Sequence, residues 1–199
     1  MAFDFSKNYE LEDDIVLLKP LQEHHIPKLL DIANEPNIWE YSFIKGDGLQ
    51  NLTNYVNATI SARKSQKEYP FIVIDKRRNA IAGCTRFCDI NPLLHNTRLG
   101  YTWYGKEFQG TGLNKHCKYL LFDFAFTTMQ MQRIGLGAYI ENKRSIAAMK
   151  SVGCVEEGKY RKALPSPTEE GRSDAILFSI LKDEWYASKK ETLKQKLIQ

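Results

Sequence analysis

A chain of 199 residues, 43% hydrophobic and 26% charged, carries enough apolar material for one domain with a substantial core. No stretch reaches the length of a membrane span. The acidic opening MAFDFSKNYELEDD lacks the apolar region of a signal peptide, so a cytoplasmic protein without membrane partners is expected. A net charge of +4 suits an anionic small molecule better than nucleic acid.

In chain order, residues 15–20 (IVLLKP) read as a first strand. Residues 23–33 read as a helix with Ile26, Leu29, Leu30 and Ala33 on one face. An aromatic-rich loop, NIWEYSFIKGDG, leads to a second helix over 49–63 through Leu52, Tyr55, Val56, Thr59 and Ile60. FIVID (71–75) and AIAGCTRF (80–87) are strands joined by a polar turn over 76–79. NPLLHN is a loop, and TRLGYTWY (97–104) is the fourth strand. The next helix is the clearest in the chain, with Leu113, Cys117, Leu120, Leu121, Phe124 and Ala125 at helical spacing. Residues 133–140 form a strand, and 142–151 a helix stopped by Gly153. Residues 154–164 and 174–181 are the last strands, connected through PSPTEEGRS. The lysine-rich segment 182–199, interrupted by carboxylates, reads as a solvated terminal helix. The alternation of elements gives an α/β (α+β) class, a mixed sheet with helices on its faces.

The stretch RLGYTWYGKEFQGTGLN (98–114) carries the strongest chemical signal. A strand runs into a Gly-Thr-Gly turn that opens a helix. Backbone N–H groups at a helix N-terminus attract anions, and glycines let a phosphate approach the backbone. A P-loop motif is absent, and a dinucleotide fingerprint would need a further glycine where Lys115 stands. Cys84, Cys88, Cys117 and Cys154 fit no metal-ligand spacing and read as buried hydrophobes in a reducing compartment, with Cys84 and Cys88 on one strand face. His24, His25, His95 and His116 are scattered, so no nucleophile–base set is evident.

Five segments together resemble the GCN5-related N-acetyltransferase (GNAT) superfamily and, within it, the ribosomal-protein N-terminal acetyltransferases. They are LLKPLQEHH, IAGCTRF, GYTWYGKEFQGTGLN, ENKRSIAAMKSVGCVEEGKYR and SDAILFSILKDEW, in the family's order. The fourth is the most specific: Asn142, Ser145, Gly153, Glu157, Gly158 and Arg161 match the branch pattern, with Cys154 where an aromatic is usual. The cofactor loop also departs from the family, with Glu107 three residues before Gly110 and Gln109 directly before it. The resemblance spans about residues 15–186 and implies a single GNAT domain over 1–199, with 187–199 as a tail. It implies a mostly antiparallel sheet of six to seven strands, splayed between the fourth and fifth. It also implies direct transfer of acetyl from acetyl-CoA to an amine.

On that resemblance, Gln109, Gly110, Thr111, Gly112, Leu113 and Asn114 hold the pyrophosphate, while Thr102, Trp103 and Tyr104 pair with the pantetheine arm. Asn142 has two readings, a helix N-cap and a pantetheine ligand; Ser145 is a solvent-facing serine or the donor to the leaving thiolate. Asp174 is the candidate catalytic carboxylate, with Glu107 and Asp89 as less favoured bases. Trp39, Tyr41, Phe43, Tyr101 and Trp103 form the expected acceptor wall; core packing or a homodimer seam are the competing uses of these rings. The acceptor is expected to be a protein N-terminal amine, with a small amine or a non-catalytic acetyl-CoA-binding module as the alternatives.

Overall fold

The computed structural model describes residues 3–42, 44–167 and 170–198. Its strands are β1 (Leu11–Glu12), β2 (Val16–Pro20), β3 (Tyr69–Asp75), β4 (Ala80–Asn91), β5 (Asn96–Tyr104), β6 (Arg133–Tyr139), β7 (Val155–Pro165) and β8 (Arg172–Leu181). The helices are α1 (Ile26–Ala33), α2 (Gly48–Lys64), α3 (Leu113–Thr127), α4 (Lys143–Ser151), α5 (Lys182–Glu184) and α6 (Lys190–Gln195). All eight strands join one sheet in the order β1-β2-β3-β4-β5-β6-β8-β7. The sheet has one strand more than expected: β1 is a two-residue strand whose pattern is too short to show alternation. The expected helix over 23–33 begins as a 3₁₀ turn (Glu23–His25), and Pro27 then sits in the first turn of α1.

Consecutive residues Phe71, Ile72 and Val73 of β3 are all fully buried. Successive strand side chains point to opposite faces, so both faces of the sheet are covered. One pair of neighbours is parallel, β5 with β6. It extends over Asn96↔Arg133, Thr97↔Ile134 and Arg98↔Gly135 and then ends. Beyond that point β5 stays with β4 as far as Tyr104, and β6 stays with β8 as far as Tyr139. The two strands therefore part, which is the splay expected between the fourth and fifth predicted strands.

A register shift between Cys84 and Arg86 bends β5 where this parting occurs. Opposite the shift, Tyr101 adopts φ 49°, a conformation uncommon outside bulges and turns. The Arg86 guanidinium packs on the Tyr101 ring at 3.6 Å and stands 3.1 Å from Glu68, out of line for a hydrogen bond. At Gly83 the β4 and β5 backbones approach so closely that a Cβ would lie 1.9 Å from the Trp103 carbonyl oxygen. Glycine is the residue that fits there.

The C-terminal segment differs from a solvated helix. A π-helical turn (Trp185–Lys189) links α5 to α6, and Trp185 is fully buried against Tyr119, Phe122 and Phe126. Leu193 is also buried, and Lys190 pairs with Asp123 of α3 at 2.5 Å. The exposed lysines dominate the pattern, while two apolar anchors decide the packing.

Gly83→Ala should cost about 2–4 kcal/mol of stability through backbone displacement of Trp103. Urea denaturation measures it, and a wild-type midpoint would contradict the close approach.

Candidate active site

The parted ends of β5 and β6 open a cleft of about 1020 Å³. One wall is the second half of β5, from Leu99 to Tyr104; the other comes from β6 and α4, through Ala138, Tyr139, Ser145, Ala148 and Met149. The glycine loop closes one end. Gly110 and Gly112 sit at φ 74° and 85°, and a Cβ on either would meet open space. Gly112 is the N-cap of α3 and no side chain caps that helix. Open N–H groups, the positive end of a fifteen-residue helix dipole and room above two glycines make a cradle for a phosphate.

Neighbouring side chains hold this loop in place. The fully buried Asp75 carboxylate binds Arg77 at 2.6 Å, and Arg77 donates 3.3 Å to the Thr111 carbonyl. The Arg77 hydrogen bonds hold the Asp75 carboxyl below its usual range. Gln109 donates 2.8 Å to the Tyr104 carbonyl and accepts from Arg144 at the start of α4. Tyr104 donates 3.3 Å to Asn114, and Thr111 donates 2.8 Å to the Phe108 carbonyl. Leu113 is fully buried and serves the core, its backbone alone being free for the loop.

Of the expected residues, the cleft is lined by Trp39, Tyr41, Tyr101, Thr102, Trp103, Tyr104, Gln109, Gly110, Gly112, Asn114, Asn142 and Ser145. Phe43 lies outside the described residues. Asn142 is the N-cap of α4, its side-chain oxygen accepting 3.0 Å from the Ser145 N–H. The cap uses its oxygen and leaves the amide nitrogen outside that interaction. Ser145 is half-buried on the cleft side of the first turn. Trp39 is buried, donates 2.8 Å to the Ala33 carbonyl and packs against Trp103 at 5.0 Å with the ring planes tilted, so both rings also serve the core.

The candidate bases fare differently. Asp174 is not among the lining residues. It accepts 2.7 Å from the Lys162 N–H and pairs with Lys159 at 3.2 Å, which holds its carboxyl below the usual range. These contacts brace the irregular stretch of β7 between Tyr160 and Leu164. Glu107 is exposed and paired with Arg78. Asp89 lines the cleft 3.4 Å from Arg98, and Glu157 lines it in a two-pronged pair with Arg133. The Arg133 hydrogen bonds hold the Glu157 carboxyl low. The four cysteines are free and buried, and burial pushes the Cys88, Cys117 and Cys154 thiols up to about 12.

Sequence reading missed Arg77, Arg144 and above all Lys118. Lys118 lies on α3, 5% exposed, and lines the cleft. Its ammonium donates 3.1 Å to the Thr102 hydroxyl, and burial pulls its pKa down to about 8. The available signal was a lysine three and seven residues before Leu121 and Ala125, within the apolar stripe of the helix that the glycine loop opens.

A splayed sheet with a phosphate cradle at one end of a long cleft defines an acyl-CoA-type transferase. The comparisons place it further. The acetyltransferase (GNAT) domain profile matches residues 16–155, and the chain belongs to that family. These enzymes are N-acetyltransferases with acetyl-CoA as donor. YdaF of Bacillus subtilis, described as a candidate ribosomal N-acetyltransferase, is 28% identical over 55% of this chain. The chain spans 58% of YdaF's own length. The spermidine N(1)-acetyltransferase of Vibrio cholerae is 25% identical over 71% of this chain and 79% of its own. A solved candidate acetyltransferase of T. thermophilus superposes with TM-score 0.84 at 25% identity, covering 99% of each chain. Among the described residues no helix is long and apolar enough to cross a membrane.

Two outcomes test this site. Gly112→Asp places a negative charge at the phosphate cradle without meeting protein atoms, and should weaken acetyl-CoA binding at least about tenfold by calorimetry. Unchanged affinity would move the pyrophosphate elsewhere. Lys118→Met removes a buried cation whose pKa is lowered on folding, so it should stabilise the chain at pH 7 by an amount on the order of 3 kcal/mol. Between pH 8 and 10.5 the Lys118 site holds fewer protons folded than unfolded, so the gain from Lys118→Met should shrink across that window. A pH-independent difference would contradict a charged, desolvated Lys118.

Proposed function

We propose that this chain transfers acetyl from acetyl-CoA to the α-amine of a protein N-terminus. The observation that carries this reading is the pairing of the carboxylates along the cleft. Asp89 faces Arg98 and Glu157 faces Arg133, so neither offers an uncompensated charge to a polycation. The cleft is also lined by Tyr41, Tyr101, Tyr139 and Tyr160. Such a wall suits one ammonium on an otherwise apolar chain. The resemblance to ribosomal-protein acetyltransferases supports the same acceptor, as does the description of YdaF.

Acetyl-CoA supplies an activated acetyl thioester when bound. Residues 109–114 would hold its pyrophosphate, and the open edge of β5 at Thr102, Trp103 and Tyr104 would hold its pantetheine arm. A backbone N–H on that edge, aimed at the thioester oxygen, is the kind of donor typically worth about 3 kcal/mol in a transition state. Ser145, which lines the opposite wall, would donate a hydrogen bond to the leaving sulfur. An α-amine titrates near about 8, so an appreciable fraction is neutral at pH 7 and water suffices to take its proton. The enzyme therefore works without an unpaired carboxylate base.

A second acceptor class has one observation in its favour. The match to the spermidine N(1)-acetyltransferase over 79% of its length favours a polyamine, whereas the smaller pocket of about 470 Å³ beside the cleft sets Lys106, Lys143 and Arg144 against Glu40 and Glu141. Thiol release from acetyl-CoA, measured with alanine-initiated peptides and with spermidine, separates the two. Higher kcat/KM on the peptides is expected; a preference for spermidine would replace the proposed acceptor. Ser145→Ala should lower kcat about tenfold or more and leave the affinity for acetyl-CoA within about twofold. Equal turnover would return Ser145 to a structural role.

A further inference from the structure

Lys118 is a buried cation in a ligand cleft. Among the described residues it is ion-paired with no carboxylate, and its hydrogen bond is to a neutral hydroxyl, Thr102 at 3.1 Å. That hydroxyl is shared with Thr85 of β4 at 2.8 Å. The titratable groups that act on its charge are thiols, Cys117 on its own helix and Cys154 ahead of β7, both held neutral by burial. A cation in such surroundings is expensive unless an anion arrives to meet it.

The fold says which anion. Lys118 stands about 9 Å along α3 from Gly112, at about 1.5 Å per residue, and so lies beyond the phosphate cradle. It reaches β5 at Thr102, within the edge left open by the parting of β5 and β6. Ser145, Ala148 and Met149 line the same cleft from α4. Acetyl transfer puts negative charge on this stretch twice, on the carbonyl oxygen and then on the sulfur of coenzyme A; a backbone N–H of β5 would serve the first, which leaves the second for the cation.

We propose that the Lys118 ammonium neutralises the leaving thiolate as its ion-pair partner, an assignment that rests on acetyl-CoA being the donor. As the acceptor nitrogen bonds to the carbonyl carbon, the carbon–sulfur bond breaks and its electron pair passes to sulfur. The Lys118 ammonium keeps its proton and pairs with the thiolate that forms. The thiolate takes its proton from solvent on leaving, solvent having received the one lost by the acceptor. A lysine at about 8 is still mostly charged at pH 7, and a cation meets a thiolate far better than a serine hydroxyl does. Ser145 then has the lesser task of a hydrogen-bond donor.

The test needs no acceptor. Wild type and Lys118→Met are titrated with coenzyme A and with desulfo-coenzyme A at pH 7, and the ultraviolet difference band of a thiolate is recorded. Wild type should bind coenzyme A at least about tenfold more tightly than the desulfo form and show the band. Lys118→Met should bind the two alike and show no band, while its desulfo-coenzyme A affinity stays within about twofold of wild type. Lys118→Arg should keep part of the preference. An unchanged preference in Lys118→Met, or no thiolate band in wild type, would overturn the assignment while leaving the cofactor in place. Failure of wild type to bind either compound would instead overturn the acetyl-CoA reading and this assignment with it. Should Lys118→Met fail to fold, the wild-type band decides alone.

Discussion

β5 and β6 share three residue pairs and then separate, and the site exists because they do. A strand interior to a sheet normally satisfies its N–H and C=O groups on both sides. From Leu99 to Tyr104, β5 has β4 on one side and the cleft on the other. An extended ligand arm with its own amides can complete that edge as another strand would. The register shift at Cys84–Arg86, the left-handed Tyr101 and the close approach at Gly83 are the local means by which β5 is bent away.

The features around the cleft share a physical theme. Each breaks a local rule of stability: two loop glycines in left-handed conformations, a helix start with no side-chain cap, and a buried lysine without a carboxylate. The surrounding structure compensates. Asp75 and Arg77 hold the glycine loop from one side, and Arg144 holds it from the other through Gln109. Departures of this kind concentrate where a protein binds and reacts.

Much of this was legible in the sequence. The hydrophobic periodicities of residues 71–75, 97–104 and 113–125 translate directly into β3, β5 and α3, because burial on a pleated or helical surface dictates those spacings. The Gly-Thr-Gly turn pointed to a helix entry of left-handed glycines, which Gly110, Gly112 and the uncapped start of α3 show. What the sequence hid depends on long-range pairing. Asp174 occupies a plausible position in the chain, yet its carboxylate is spent on Lys159 and Lys162 across the hairpin. Trp185 and Leu193 are two apolar residues among lysines, and only the neighbouring α3 shows that they are anchors. Lys118 resembles any helical lysine until Thr102 and the cleft are seen beside it.

The most direct measurement is a crystal structure of the chain with coenzyme A. The account predicts the pyrophosphate against the backbone of residues 110–114 and the pantetheine amides hydrogen-bonded to the open edge of β5 at Thr102–Tyr104. Coenzyme A bound elsewhere, or β6 closed onto β5 along that edge, would contradict it.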